Sequence, residues 1–471
     1  MFARELVQNY INYASFQGFC IFIPTKVSAM VLKILLAFVF LLLNRSVTFQ
    51  REQNSSELIS YFSLKAIPFT DASGLNLFIN ECEQKKLVLL GEASHGTHEY
   101  YHWRAEISKR LITEKKFSFI AVEGDWASIY RLNKYVKDLG NAKSSAKEVL
   151  QSFNRWPEWM WANSDILELA EWLKEHNQTL PPDEKVGFYG FDVYGQWDAM
   201  DDLLAWSEDN LNDKHNDILT KLSCFAKYRT DEWQYAREVA GGKNSCEEKL
   251  QQIVEILRSY GNSIDSSEMK PYFRAKQNAL VVQNAESFYR LAIQNNILSW
   301  NSRVDHMWLT INRLLDFHGE NSKGIIWAHN THVGDSRATV MRSINQYNIG
   351  ELSRTTLGEK NVFIAGFGTY RGKVNAGAEW GARMRIMKVP KAQKGSLDYY
   401  LGQVPHEQFF ILFNENDRKN QLLAGNYLGH RAIGVTYNPR WESGNYAPTL
   451  PAFRYDALLF FQNTSALKTV R

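Results

Sequence analysis

The chain has 471 residues and a formal net charge of +3, so it is long enough to bury a large core and carries no excess charge that would mark a nucleic-acid surface. Its four cysteines, Cys20, Cys82, Cys224 and Cys246, show no C-x-x-C spacing, which argues against a zinc ribbon and a disulfide framework; one pair, Cys224 with Cys246, is compatible with an exported protein. The 14 Trp, 22 Tyr and 27 Phe suit both core filling and the walls of a pocket for a bulky apolar ligand.

Residues 1–48 read as a leader. From Met30 a short basic stretch ending at Lys33 precedes the uncharged run Ile34–Leu43, and small polar residues follow to Thr48. Ten apolar residues are short for a bilayer span, and the pattern is that of a secretory signal peptide with Met30 as the true start. The competing reading is a membrane anchor. The expected location is therefore exported, periplasmic or extracellular, anchored if the segment is retained, and cytoplasmic if the start is misassigned. Residues 49–57 form a polar linker, and a single catalytic domain is expected over 58–465.

A helix is predicted over 73–84. The run Leu87-Val88-Leu89-Leu90 then reads as a buried strand that stops at Gly91 and delivers Glu92 and His95 onto a loop opening a helix over 98–115. Phe119–Val122 ends at Glu123, Val186–Phe191 ends at Asp192, and Gly324–Ala328 ends at His329 and His332. Carboxylates at strand ends commonly cap helices. Four such ends carrying carboxylates and imidazoles make a constellation suited to acid/base chemistry, because ligands in α/β sheets sit beyond the carboxyl ends of the strands. Arg104 lies two turns up the helix from His95, where it can lean back toward the cleft. The cluster Trp156–Trp161, which lies between two strands whose ends carry carboxylates, is placed as a pocket wall. Residues 195–320 are helical in pattern throughout and read as an insertion capping the cleft. Further strands are expected at 361–367, 408–413, 432–437 and 457–462. The fold class is α/β, a central mixed and largely parallel sheet flanked by helices.

Two motifs compete for the chemistry. His98-Glu99-Tyr100-Tyr101-His102 matches H-E-x-x-H, the zinc hydrolase pattern, although no third histidine follows in the metzincin position. The second is Gly91-Glu92-x-x-His95-Gly96 followed by Glu99, together with Val122-Glu123-Gly124-Asp125-Trp126 and Trp327-Ala328-His329-Asn330-x-His332. This set resembles the erythromycin esterase family over roughly residues 56–465, and Phe188–Asp192 and Arg431–Val435 also look like the family's pattern. The resemblance implies a hydrolase of an ester or lactone, of which macrolide antibiotics are one class and resistance one consequence. It assigns His95 as general base, Glu92 and Glu123 as acidic active-site residues, and Arg104, His329 and His332 as polar lining, beside Asp192 and Trp161 from the strand-end reading. It implies no required cofactor and a small-molecule partner.

The residue chemistry is compatible with that assignment. A histidine titrates near neutrality, and a carboxylate three residues away can hold its tautomer. No G-x-S-x-G elbow is present, so water rather than a serine is the expected nucleophile, and Ser94 is expected to serve the turn. The alternatives are a zinc hydrolase built on His98, Glu99 and His102, and a non-catalytic protein binding haem or another small molecule.

Overall fold

A computed structural model describes residues 53–140 and 145–470. The chain divides at Glu57, and the fold and site belong to the unit Leu58–Arg471. The leader lies outside the described residues. Among the described residues no helix is long and apolar enough to cross a membrane.

Eleven strands lie among the described residues: β1 (Ile67–Pro68), β2 (Leu87–Leu90), β3 (Phe119–Asp125), β4 (Gly187–Asp192), β5 (Gly324–Trp327), β6 (Val362–Ala376), β7 (Arg385–Val389), β8 (Gln408–Leu412), β9 (Leu428–Arg431), β10 (Tyr446–Thr449) and β11 (Ala457–Thr464). The main sheet runs β1-β8-β11-β6-β2-β5-β3-β4, with β7 hairpinned onto β6, and β9 and β10 form a separate antiparallel pair. The six strands from β11 to β4 are mutually parallel; β1, β7 and β8 are antiparallel to their neighbours. The chain leaves β2 in one direction to reach β3 and β4, returns to insert β5, and then crosses to β6 on the other side. That reversal places a crevice at the carboxyl ends of β2, β5 and β3.

Burial of both faces explains why β2, β5 and residues 119–122 of β3 carry no charged side chain. Leu87, Leu89, Phe119, Ala121, Ile326 and Ile364 point to one core, while Val88, Leu90, Ile120, Val122, Ile325 and Phe363 point to another. With helices over both faces, successive side chains are all buried and no polar face remains.

The helix predicted over 98–115 spans His98–Lys115 and ends with Lys116 in the left-handed conformation. The segment expected to be helical over 73–84 is a 3-10 turn, Ala72–Leu75, leading into the helix Asn76–Glu81. Between β4 and β5 run six helices, Gln196–Asn210, His215–Ala226, Glu232–Ala240, Glu247–Gly261, Met269–Ala292 and Asn296–Phe317. Cys224 and Cys246 are joined by a disulfide within this group, with Cα atoms 5.9 Å apart. Cys82 is a buried free thiol.

One expected strand is absent. Residues 432–437 make only single bridges, Ile433 to Ser94 and Thr436 to Gly377, and the strand of that region lies just before, at β9. Ile433 and Tyr437 pack in a small separate core with Val374, Ala376 and Val389, and Ala432, Gly434, Val435 and Thr436 line a cavity.

Candidate active site

The loop after β2 is held by close backbone packing. A Cβ at Gly91 would come within 2.0 Å of Asn330 Oδ1, and one at Gly96 within 2.1 Å of the Asn375 carbonyl oxygen. Asn330 N–H donates to the Glu92 carbonyl at 2.8 Å, and its side-chain amide donates to the Phe367 carbonyl at 2.7 Å. The loop between Glu92 and His95 is thereby clamped between β5 and β6. Ser94 hydrogen-bonds Thr97 through its hydroxyl, the turn role expected of it.

Glu92 is fully buried and bridges two cations or near-cations. Its Oε1 lies 2.9 Å from His95 Nδ1, and its Oε2 accepts from Arg104 Nη2 at 2.7 Å. Arg104 does not reach the cleft. It is completely buried, with its guanidinium 4.4 Å from the Tyr101 ring centroid and 4.7 Å from that of Trp327, and it is not among the residues lining the cavity. The expectation that it binds substrate is corrected: the side chain is enclosed between Tyr101 and Trp327 and is spent on Glu92.

The cavity has a volume of about 400 Å³ and is lined by His95, Glu123, Asp192, His329, His332 and Trp161 of the predicted set. Glu123 Oε2 accepts from the His329 backbone N–H at 2.9 Å, and its Oε1 accepts from Arg303 at 3.0 Å. Arg303 also forks onto Asp192, at 2.8 and 2.7 Å, so that carboxylate is spent on holding the guanidinium. Arg303 Nη1 donates to His332 Nε2 at 3.4 Å, and the His332 ring is stacked on Trp300, centroids 4.8 Å apart. Trp161 donates its indole N–H to the Glu123 carbonyl at 3.2 Å.

The His95 and His329 rings face one another with centroids 5.1 Å apart, yet their environments push them oppositely. Burial lowers the His95 pKa, but the Glu92 hydrogen bond and the Glu123 charge outweigh it, and the net shift is upward. His329 is driven well below the usual imidazole value by burial and then by the charge of His95. His332 falls to about 4, again chiefly through burial. Burial alone would raise Glu123; the positive charges around it and the His329 N–H hold it below its usual range, and Arg303 guarantees that it stays ionised.

The neutral tautomer of His329 follows from its contacts. Nδ1 accepts from the Thr331 backbone N–H at 3.2 Å, so the proton resides on Nε2, a buried atom with no hydrogen-bond partner.

The H-E-x-x-H residues sit elsewhere. His98 pairs with Asp165 at 2.9 Å, both Glu99 oxygens accept from Ser465, and none of His98, Glu99 and His102 lines the cavity. Among the described residues no group of three or more His, Cys, Asp and Glu is arranged to hold a metal.

Among the cavity residues that the sequence reading did not single out are Arg303, Arg155 and Tyr194, and Asp125 entered it only as part of the Val122–Trp126 motif. Asp125 takes a fork from Arg155 at 2.5 and 2.6 Å, and Tyr194 lies between the two guanidinium groups, 4.9 Å from Arg155 and 5.0 Å from Arg303. Arg303 carried a detectable signal. It shares a helical stripe with Trp300, Met307 and Thr310, an arginine on a face otherwise turned inward. Arg155 carried none, because a loop residue has no periodicity to read.

Ionisable groups gathered beyond the carboxyl ends of a doubly covered parallel sheet define the architecture of an α/β enzyme. The erythromycin esterase family model matches residues 112–464, well over half of the chain, and the protein belongs to that family. Glu123, Asp192, Arg303, His329 and His332 lie within the matched segment, whereas Glu92 and His95 precede it. Family membership supports an ester-hydrolase function on a small-molecule substrate. Among solved structures, a succinoglycan biosynthesis protein is 18% identical, with a TM-score of 0.70 over 88% of this chain and 98% of that one. A protein from Bacillus cereus is also 18% identical, with a TM-score of 0.70 over 88% and 99%. An erythromycin esterase mutant in its open conformation is 14% identical, with a TM-score of 0.61 over 85% and 96%. At these identities the likeness establishes the fold.

Proposed function

We propose that the protein hydrolyses a carboxylic ester or lactone by direct attack of water, with His95 as general base. The observation that carries this reading is the pairing of His95 Nδ1 with buried Glu92, which leaves Nε2 as the basic nitrogen of a ring that lines the cavity.

Water held beside His95 gives its proton to Nε2 as its oxygen attacks the ester carbonyl carbon. The carbonyl π electrons move onto oxygen, and the resulting oxyanion is met by the unpartnered Nε2–H of neutral His329. Collapse of the tetrahedral intermediate breaks the bond to the alcohol oxygen, which takes the proton back from the His95 imidazolium. Glu123 stabilises the imidazolium electrostatically, and Arg303 keeps that carboxylate charged and in place. All charge stabilisation in this scheme comes from protein groups, so activity is expected to survive dialysis against a chelator.

Macrolide lactones are one proposed substrate class, and export of the mature chain remains part of the same proposal. Incubation with 14- and 16-membered macrolides and with simple aryl esters, read by mass for addition of one water, tests it. His95→Ala is expected to abolish turnover of whichever ester is cleaved; hydrolysis at an unchanged rate in that variant sinks the assignment.

A further inference from the structure

A second cavity, larger than the first at about 720 Å³, opens at the opposite end of the sheet. Its wall includes Asp183, in the turn that leads to β4, and His318, shortly before β5, so it sits at the amino ends of the strands whose carboxyl ends form the catalytic cleft. The two cavities share no lining residue.

The charge arrangement of this second cavity is not explained by folding. Lys137, Lys276 and Arg313, from three different helices, line it and are half-buried, and among the described residues none of them makes an ion pair. Lys137 has only the Tyr189 hydroxyl at 3.4 Å, and Arg313 donates only to the neutral Gln277 and Thr310 side chains. Stability gains nothing from half-buried cations left without carboxylates, since burial removes their hydration and no counter-charge replaces it. Burial followed by the charges of Lys270 and Lys185 brings Lys137 down to about 8, and burial brings Arg313 down to about 10. The two carboxylates of the wall compensate only in part: the charge of Asp183 acts on Lys137 but is outweighed by burial and the neighbouring lysines. Asp183 is taken by Lys270 at 2.7 Å, and Asp316 is exposed to solvent.

Beside the cations stand flat apolar walls. Phe273 and Phe317 stack with centroids 4.1 Å apart, and Tyr130 lies in the same lining. Cations lining one cavity beside low-dielectric aromatic walls raise a positive potential within it. We propose that this cavity is a second ligand site, separate from ester hydrolysis, for a small molecule that joins a doubly charged phosphate-like group to an aromatic ring. The anion would sit among Lys137, Lys276 and Arg313, with the ring against Phe273 and Phe317.

Calorimetric titration of the full chain with benzylphosphonate, which an esterase cannot cleave, tests this. Expected are one site per chain, weakening as salt is raised, at least tenfold weaker binding of inorganic phosphate and of benzyl alcohol, and at least tenfold loss in Lys137→Met and in Lys276→Met. Two variants on different helices guard against one failing to fold, which circular dichroism checks. His95→Ala is expected to bind benzylphosphonate as the unsubstituted protein does. No binding at millimolar ligand, equal binding of phosphate alone, indifference to both lysine variants, or loss in His95→Ala overturns the proposal.

Discussion

Glu92 and His95, three residues apart on one loop, are joined by a 2.9 Å contact in which the carboxylate is wholly buried and the imidazole opens onto a cavity. The other Glu92 oxygen is held by Arg104, so the acid cannot rotate away from the ring. A charged carboxylate fixed in this way is expected to do two separable jobs, one for stability and one for the proton transfer.

Glu92→Gln separates them. It leaves the fully buried Arg104 guanidinium without its counter-charge, and loss of about 3 to 5 kcal/mol in unfolding free energy is expected. Combining it with Arg104→Met removes the orphaned charge and is expected to recover much of that loss. Activity is expected to stay down by roughly 10²- to 10⁴-fold in both variants, as when the orienting acid of a catalytic histidine is neutralised. Denaturant titration beside steady-state rates gives the comparison.

The pH dependence of kcat/KM should report His95. The base acts only when unprotonated, and its pKa is raised above the ordinary histidine value. Activity is therefore expected to rise with pH through a midpoint above about 6.5. In Glu92→Gln that midpoint is expected to move down, because the hydrogen bond and charge that raise it are removed while burial remains. A midpoint unaltered by the substitution would place the titration on another group.

Arg303 joins the helices between β4 and β5 to the sheet, since one guanidinium from the helix Asn296–Phe317 meets carboxylates on β3 and β4. A lysine carries the charge without the fork. Arg303→Lys is expected to lower kcat/KM about tenfold or more with the fold retained, whereas Arg303→Met, which leaves Glu123 and Asp192 facing each other unpaired, is expected to destabilise by several kcal/mol. Thermal melts and ester kinetics on the two variants check both halves.

Acid sensitivity should come in part from two buried histidines that do not line the catalytic cavity. Burial lowers His306 and His318 to about 3, against about 6.5 in an unfolded chain. Between those values the unfolded state takes up protons that the folded state refuses. The stability is complete above about pH 6.5 and declines as pH falls toward 3. For His306, whose ring is almost entirely buried, the loss by pH 4 is of the order of 3 kcal/mol. Unfolding free energies at pH 7 and pH 4 should converge in His306→Gln relative to the unsubstituted chain.

The middle of the parallel sheet was legible because residues 87–90, 119–122, 186–191 and 324–328 carry no charged residue and end abruptly at Gly91, Glu123, Asp192 and His329, a signature of strands buried on both faces. Local order also revealed the Glu92 to His95 spacing and the helix His98–Lys115. Residues 432–437 show the limit: their alternation resembles a strand, but a strand needs a partner of matching register, and the chain supplies single bridges only. Arg104 shows it again. Its separation from His95 was readable, while the side of the sheet on which its helix lies was not, and that side decides between touching substrate and bracing Glu92. The pairing of Arg303 with Glu123 across 180 residues was beyond sequence altogether. Patterns of burial and spacing are local properties of a chain; which charges meet is fixed only when distant segments are brought together, because Coulomb and hydrogen-bond terms depend on separation in space and not along the sequence.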